Sequence, residues 1–141
     1  MNYKKLNERA IAPTKANSSD AGYDLYALNN ERLLYDDNRM VHKVATGIAM
    51  EIPDGYVGMI CDRSSMAIKG IHVLGGIIDS SYRGEISVCL MNLGTDEDYK
   101  VNAGDRIAQI LIIPVANFDL REVEALGETD RGNGGFGSTG K

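Results

Sequence analysis

Helix-period hydrophobic patterns are almost absent from this chain. Short runs of β-forming residues recur instead, punctuated by Gly, Pro, Asn and Asp. A chain patterned in this way has to bury its apolar residues on strands. Strands at roughly 8–12-residue spacing point to an all-β, jelly-roll-like sandwich or barrel. Residues 44–52 form a β-rich run that leads into Pro53-Asp54-Gly55, where Pro presets φ and Gly admits positive φ. The next strand is expected over residues 56–61. Residues 85–93 set Ile86, Val88 and Leu90 against Ser87, Cys89 and Met91, the alternation of a half-buried strand. Residues 101–105 read as a turn. Residues 107–115, dense in Ile and Leu and interrupted by Gln109, predict a strand buried on both faces. Only residues 64–70 look helical, with a serine N-cap candidate and a closing Gly70.

Composition narrows the class. At 141 residues the chain is one domain by length, with 43% hydrophobic and 25% charged residues. No apolar run approaches the length of a membrane span. Met1-Asn2-Tyr3-Lys4-Lys5 has no apolar signal core behind it, which argues against secretion and for a cytoplasmic protein. Fifteen Lys and Arg against 20 Asp and Glu leave a net charge of −5, unfavourable for broad nucleic-acid binding. A polyphosphate ligand is still compatible if a few arginines gather locally. Cys61 and Cys89 lie far apart with no CxxC, and His42 and His72 are the only histidines, so neither a disulfide scaffold nor a zinc centre is supported.

The C-terminal end differs in composition. Residues 118–125 read as one more strand or an extended arm. Residues 127–141 offer little to bury, and 131–140 contain five glycines with Arg131 and the lone aromatic Phe136. Such a segment cannot offset the entropy of ordering by itself. The division expected is a β domain over 1–126 and a flexible arm over 127–141. An arm that orders on a ligand would use glycine N–H groups and the donors of Arg131, Ser138 and Thr139 on phosphate, with Phe136 stacked on a flat ring.

Other segments carry candidate chemistry. Arg63-Ser64-Ser65 sets a guanidinium beside two hydroxyls at a helix start, as a phosphate clamp would. Gly75-Gly76-Ile77-Ile78-Asp79 suits a backbone approached closely by a ligand, or a tight hairpin. Asp79, after an apolar pair, is placed to sit half-buried as a general base; a turn aspartate capping its own backbone has the same sequence. Tyr82 reads as a hairpin aromatic or as a wall against a ligand. Residues 104–109 and 21–25 each read as a turn entering a strand. Singly, each segment has an ordinary structural reading.

Together, and in this order, these segments resemble the five motifs of the trimeric deoxyuridine triphosphate nucleotidohydrolase (dUTPase) family. Ala21-Gly22-Tyr23-Asp24-Leu25 is similar to the first and Arg63-Ser64-Ser65 to the second. Gly76-Ile77-Ile78-Asp79 with Tyr82-Arg83-Gly84 is similar to the third, residues 104–109 to the fourth and residues 131–140 to the fifth. The resemblance implies a jelly-roll-like fold, a homotrimer with shared active sites, and hydrolysis of dUTP to dUMP and pyrophosphate with Mg²⁺ held through substrate phosphates and water. It implies that Asp79 activates the water and that backbone around Gly76 and Ile77 reads uracil. Tyr82 would pack under the deoxyribose, while Arg63, Ser64, Ser65 and Gln109 contact phosphates. Arg131, Phe136, Gly137 and Ser138 would close over the γ-phosphate and the base. Asp24 and Arg106 would hold the scaffold or a subunit contact.

Two positions depart from the family pattern. Asp62 stands where proline is common, and a carboxylate there is unfavourable unless it points away or pairs with Arg63. Val73 stands where some members carry a uracil-contacting asparagine, so base reading would rest on backbone. Two other readings share the fold. A dCTP deaminase would release ammonia, and a non-catalytic nucleotide-binding module would use a surface such as the polar segment 31–39.

Overall fold

The computed structural model describes residues 1–35, 40–94 and 97–134. Its elements in chain order are β1 (Asn2–Lys5), β2 (Tyr23–Tyr26), β3 (Glu31–Leu33), β4 (Val41–Ala45), β5 (Ile48–Glu51), β6 (Tyr56–Cys61), α1 (Ser64–Ala67), β7 (Ile71–Leu74), β8 (Ile77–Ile78), β9 (Ser87–Asn92), β10 (Tyr99–Val101) and β11 (Arg106–Pro114). Every strand pairing is antiparallel. The main sheets run β2-β11-β6-β8 and β4-β9-β7, with β1-β5 and β10-β3 as two-stranded ribbons. Among the described residues the arrangement is the jelly-roll-like sandwich expected, and no sheet closes into a barrel.

One buried cluster takes side chains from both main sheets: Leu25, Ile60, Ile107 and Ile110 from one, Val44, Val88, Leu90 and Ile71 from the other. β9 buries Val88 and Leu90 and turns Ser87, Cys89 and Met91 outward, the alternation read from the sequence. β6 occupies the residues expected, directly after the Pro53-Asp54-Gly55 turn, where Tyr56 N–H donates to Pro53 O at 3.1 Å. The run 44–52 divides into β4 and β5 at Thr46-Gly47. The buried Thr46 hydroxyl donates to Ile86 O at 2.5 Å and accepts Ile48 N–H at 3.2 Å, so the chain switches partners there, from β9 to β1.

Two expectations are corrected, and one pair of alternatives is decided. The strand over 107–115 is buried on both faces only through Ile107, Ala108 and Ile110; from Leu111 onward it is partly exposed. The N-cap of α1 is Arg63, not a serine, and its side chain makes no capping bond, because a guanidinium has no acceptor for the helix N–H groups; it donates to Asp24 on β2 instead. Residues 118–125 form no strand and run as an extended arm, with Phe118 82% and Leu120 fully exposed. No helix among the described residues is long and apolar enough to cross a membrane.

Candidate active site

β11 brings three of the sequence motifs into one row. Gln109 stands in register with Asp24 on β2 and with Cys61 at the end of β6. Opposed residues in antiparallel strands share a face, so the first, second and fourth motifs converge at this level of the sheet. The register between β11 and β2 shifts between Arg106 and Ala108, a bulge that re-aims the Arg106 side chain toward Asp24. Close approach is built in at Gly22, where a Cβ would lie 2.7 Å from Gln109 Oε1.

The resulting node centres on Asp24. Arg63 Nε donates to Asp24 Oδ1 at 2.8 Å, and Arg106 Nη1 donates to Asp24 Oδ2 at 3.2 Å. Arg63 Nη1 also reaches Ser65 Oγ and Arg106 O, each at 3.3 Å. Gln109 Nε2 donates to Asp62 O at 2.9 Å. Arg63, Ser65 and Arg106 thus border one cleft of about 260 Å³, together with Lys69. Two cations on one carboxylate leave a local positive charge with fixed guanidinium planes, an arrangement suited to phosphate oxygens. Ser64 and Ser65 open α1, where the first N–H groups have no intrahelical carbonyl to meet.

The third motif builds a separate cleft of about 220 Å³, bordered by Ile77, Asp79, Tyr82 and Lys43. Gly75 and Gly76 form the β7–β8 connection at φ 71° and 96°, and Gly76 O accepts Ile60 N–H at 2.8 Å. Tyr82 N–H closes a turn onto Asp79 O at 3.1 Å, and Tyr82 OH donates to Glu85 O at 3.0 Å, which fixes the ring over Gly84. Asp79 is exposed, not half-buried as expected. β8 is a two-residue edge strand, so residues just past it have a neighbour on one side only. Ile77, 60% exposed, and Tyr82, 44% exposed, flank it on the same open surface.

Arg131 lies in neither cleft; its Nε donates to Gly134 O at 2.9 Å within a local turn. Phe136, Gly137 and Ser138 lie outside the described residues, as do positions 36–39 of the polar segment. Among the described residues, no group of three or more His, Cys, Asp or Glu converges as a metal-binding cluster.

Sequence reading missed the role of Asp24 as a shared counter-ion, because its partners lie 39 and 82 residues away. It also missed the pairing of Asp62 with β7. Asp62 Oδ2 meets His72 Nδ1 at 2.6 Å, and Oδ1 accepts Val73 N–H at 2.6 Å. The carboxylate therefore points away from the arginine node, the condition under which its departure from proline is harmless to an anion.

These features have counterparts in known proteins. The family model for dUTPase matches residues 8–140. A deoxyuridine 5'-triphosphate nucleotidohydrolase of Anaplasma marginale is 47% identical over 131 residues, spanning 91% of this chain and 88% of that protein. The dUTPase of Staphylococcus bacteriophage 80alpha, solved as a G164S mutant with dUpNHpp, superposes with a TM-score of 0.91 at 27% identity, covering 99% of this chain and 98% of that one. A dUTPase from phage phi11 of S. aureus, whose structure describes coordination of a structural Mg(II) ion, superposes at 0.82 with 25% identity over 90% of this chain and 98% of that one. A match over nearly the whole length places the chain in the dUTPase family.

Proposed function

We propose that this chain hydrolyses dUTP to dUMP and pyrophosphate by attack of water on the α-phosphate. That reaction keeps uracil out of DNA and supplies dUMP for thymidylate synthesis. The observation that carries the reading is the family match over residues 8–140, which contains every group the reaction needs. Asp79 takes a proton from the attacking water; the new P–O bond forms as the bond to pyrophosphate breaks. Arg63, Ser64, Ser65 and Gln109 hold the phosphates. Backbone near Gly76 and Ile77 reads uracil. Val73 N–H is already given to Asp62 and Gly76 O to Ile60 N–H, so other backbone groups of the hairpin serve the base. Tyr82 packs against the deoxyribose and leaves no room for a 2′-hydroxyl. Residues 1–126 form the catalytic domain, and residues 127–141 close over the site through Arg131, Phe136, Gly137 and Ser138.

The two clefts of one chain lie at different levels of β6. Ile78 stands in register with Gly58, so Asp79 falls opposite Val57. From Val57 to Cys61, β6 rises about 13 Å at roughly 3.3 Å per residue, and Arg63 lies beyond that. This separation is compatible with a triphosphate held at Arg63 of one copy being met by Asp79 of another. This supports a homotrimer with sites shared between subunits. The exposed, unpaired arm at 118–125 is available for a subunit contact in that assembly.

The residues present fit a Mg²⁺ ion that arrives with the substrate. Mg²⁺ retains most of its waters and commonly binds through phosphates, so it needs no cage of side chains. When bound it neutralises charge developing on the phosphate oxygens. The arginine node then completes that neutralisation from the protein side.

Purified protein given dUTP and Mg²⁺ should release dUMP and pyrophosphate with no ammonia. Ammonia release would instead identify a deaminase. Mixing Asp79→Asn subunits with subunits lacking residues 131–141 should restore part of the activity that each lacks. Mixtures as inactive as their parents would refute shared sites.

A further inference from the structure

Asp62 occupies a junction that no catalytic role explains. Its carboxylate takes Val73 N–H and His72 Nδ1, both at 2.6 Å, and its carbonyl takes Gln109 Nε2 at 2.9 Å. One residue therefore ties β7 to β11 at the point where the chain leaves β6. The next residue is Arg63, whose guanidinium is fixed by Asp24. On its other side α1 has no side-chain cap to hold the loop. Val73 lies on the strand that leads into the Gly75-Gly76 hairpin, with β9 along one edge of that strand. Asp62 closes hydrogen bonding on the edge away from β9.

We propose that Asp62 is a positioning residue that holds the phosphate loop and the base-reading hairpin in fixed relation through hydrogen bonds, at a position where a proline would do so through its ring. A proline fixes φ at this point. Asp62 leaves φ free but anchors both of its carboxylate oxygens and its carbonyl. The side chain is one quarter exposed and the His72 ring half exposed, so the clip sits at the rim, reached by solvent but not dissolved by it. His72 adds charge to the bond when protonated and still donates from Nδ1 in one neutral tautomer. The substrate contacts governed by this clip are those of Gln109 and Arg63. Asp62 meets the hairpin strand at Val73, before the Gly75-Gly76 turn that leads to Asp79, so its loss is felt first at the adjoining phosphate loop and shows in KM more than in kcat. This role rests on the dUTPase reading above.

The test compares Asp62→Ala with Asp62→Asn. Asparagine keeps an oxygen for Val73 N–H and an amide that a neutral His72 accepts; alanine keeps neither. In steady-state pyrophosphate release, Asp62→Ala should raise KM for dUTP about tenfold with kcat within about threefold, the signature of lost uniform binding. Asp62→Asn should stay within about threefold of wild type in both. Hydrogen exchange at the Val73 amide should speed up in Asp62→Ala and stay protected in Asp62→Asn. An unchanged KM in Asp62→Ala, or a fall in kcat at constant KM, overturns the proposal. Should Asp62→Ala fail to fold, His72→Ala removes only one tether from a half-exposed ring. It should raise KM about threefold and loosen Val73, and no change in either would overturn the clip. A wild-type protein that releases no pyrophosphate would refute the hydrolase reading, while Val73 exchange would still report on Asp62.

Discussion

Replacing Gly76 with alanine tests how the hairpin that carries Asp79 is held. Its φ is 96°, and an added Cβ would stand 2.8 Å from Ile60 O and 3.3 Å from Ile60 Cβ. The obstructing atom is backbone of β6, which cannot swing aside. An L-residue in the left-handed region costs about 1–2 kcal/mol. Relieving the contact would also stretch the 2.8 Å bond from Ile60 N–H to Gly76 O. Losing that bond adds about 0.5–1.5 kcal/mol. The total is about 1.5–3.5 kcal/mol. Gly75→Ala is the internal control: its φ is 71°, but a Cβ there meets nothing within 4 Å. Only the backbone penalty of about 1 kcal/mol applies. Urea unfolding of both variants at matched protein concentration, which removes assembly effects, should show Gly76→Ala losing at least about twice the stability lost by Gly75→Ala. Turnover should fall further in Gly76→Ala, because the displaced segment leads to Asp79. Equal losses in the two variants would show that β6 does not constrain the hairpin.

Asp79→Asn keeps the shape of the side chain and removes its basicity. Turnover should fall at least about 100-fold, while calorimetric affinity for a non-hydrolysable dUTP analogue changes little; a loss of only a few-fold would exclude Asp79 as the base. Tyr82→Ala should reduce the preference for dUTP over UTP about tenfold or more. If activity falls with the preference intact, the ring serves only to brace the turn through Glu85 O. Deleting residues 131–141 should cut turnover severely and leave the unfolding midpoint almost unmoved, since residues 127–133 are exposed and Gly134 is outside the buried core. A truncated protein with full activity would refute closure by the arm.

Sequence reading succeeded where one local rule dominated. Pro53-Asp54-Gly55 fixes the start of β6, and the alternation around Val88 and Leu90 fixes the inward face of β9. It was silent where a strand exists only through its partner. Asn2–Lys5 is polar and wholly exposed, and it is a strand because it pairs with Glu51 through Ile48. The second half of β11 has the composition of a buried strand, yet it borders the edge of this single chain. The exposed setting of Asp79 has a similar origin: its apolar neighbours Ile77 and Ile78 imply burial, but β8 is a two-residue edge strand that pairs only with β6. The motifs were legible as motifs, but their division between two clefts depends on strand register, which no local pattern encodes.

The arginine node shows why a chain with net charge −5 can handle a highly charged anion. A bare pair of arginines would give a stronger field, but their long side chains would be free to rotate and would have to be ordered at the moment of binding. Asp24, 15% exposed, surrenders part of that field and in return fixes both guanidiniums, one on each oxygen. What the phosphates then meet is donors already aimed, which do not have to reorganise as charge develops. Of the other carboxylates nearby, Asp62 is turned onto β7, where it meets His72 Nδ1 and Val73 N–H, and Asp105, which borders the arginine cleft, accepts Asn102 N–H. Net charge across the molecule sets solubility and the absence of broad electrostatic attraction. The orientation of Arg63, Arg106 and Gln109 comes instead from β11, which stands between β2 and β6.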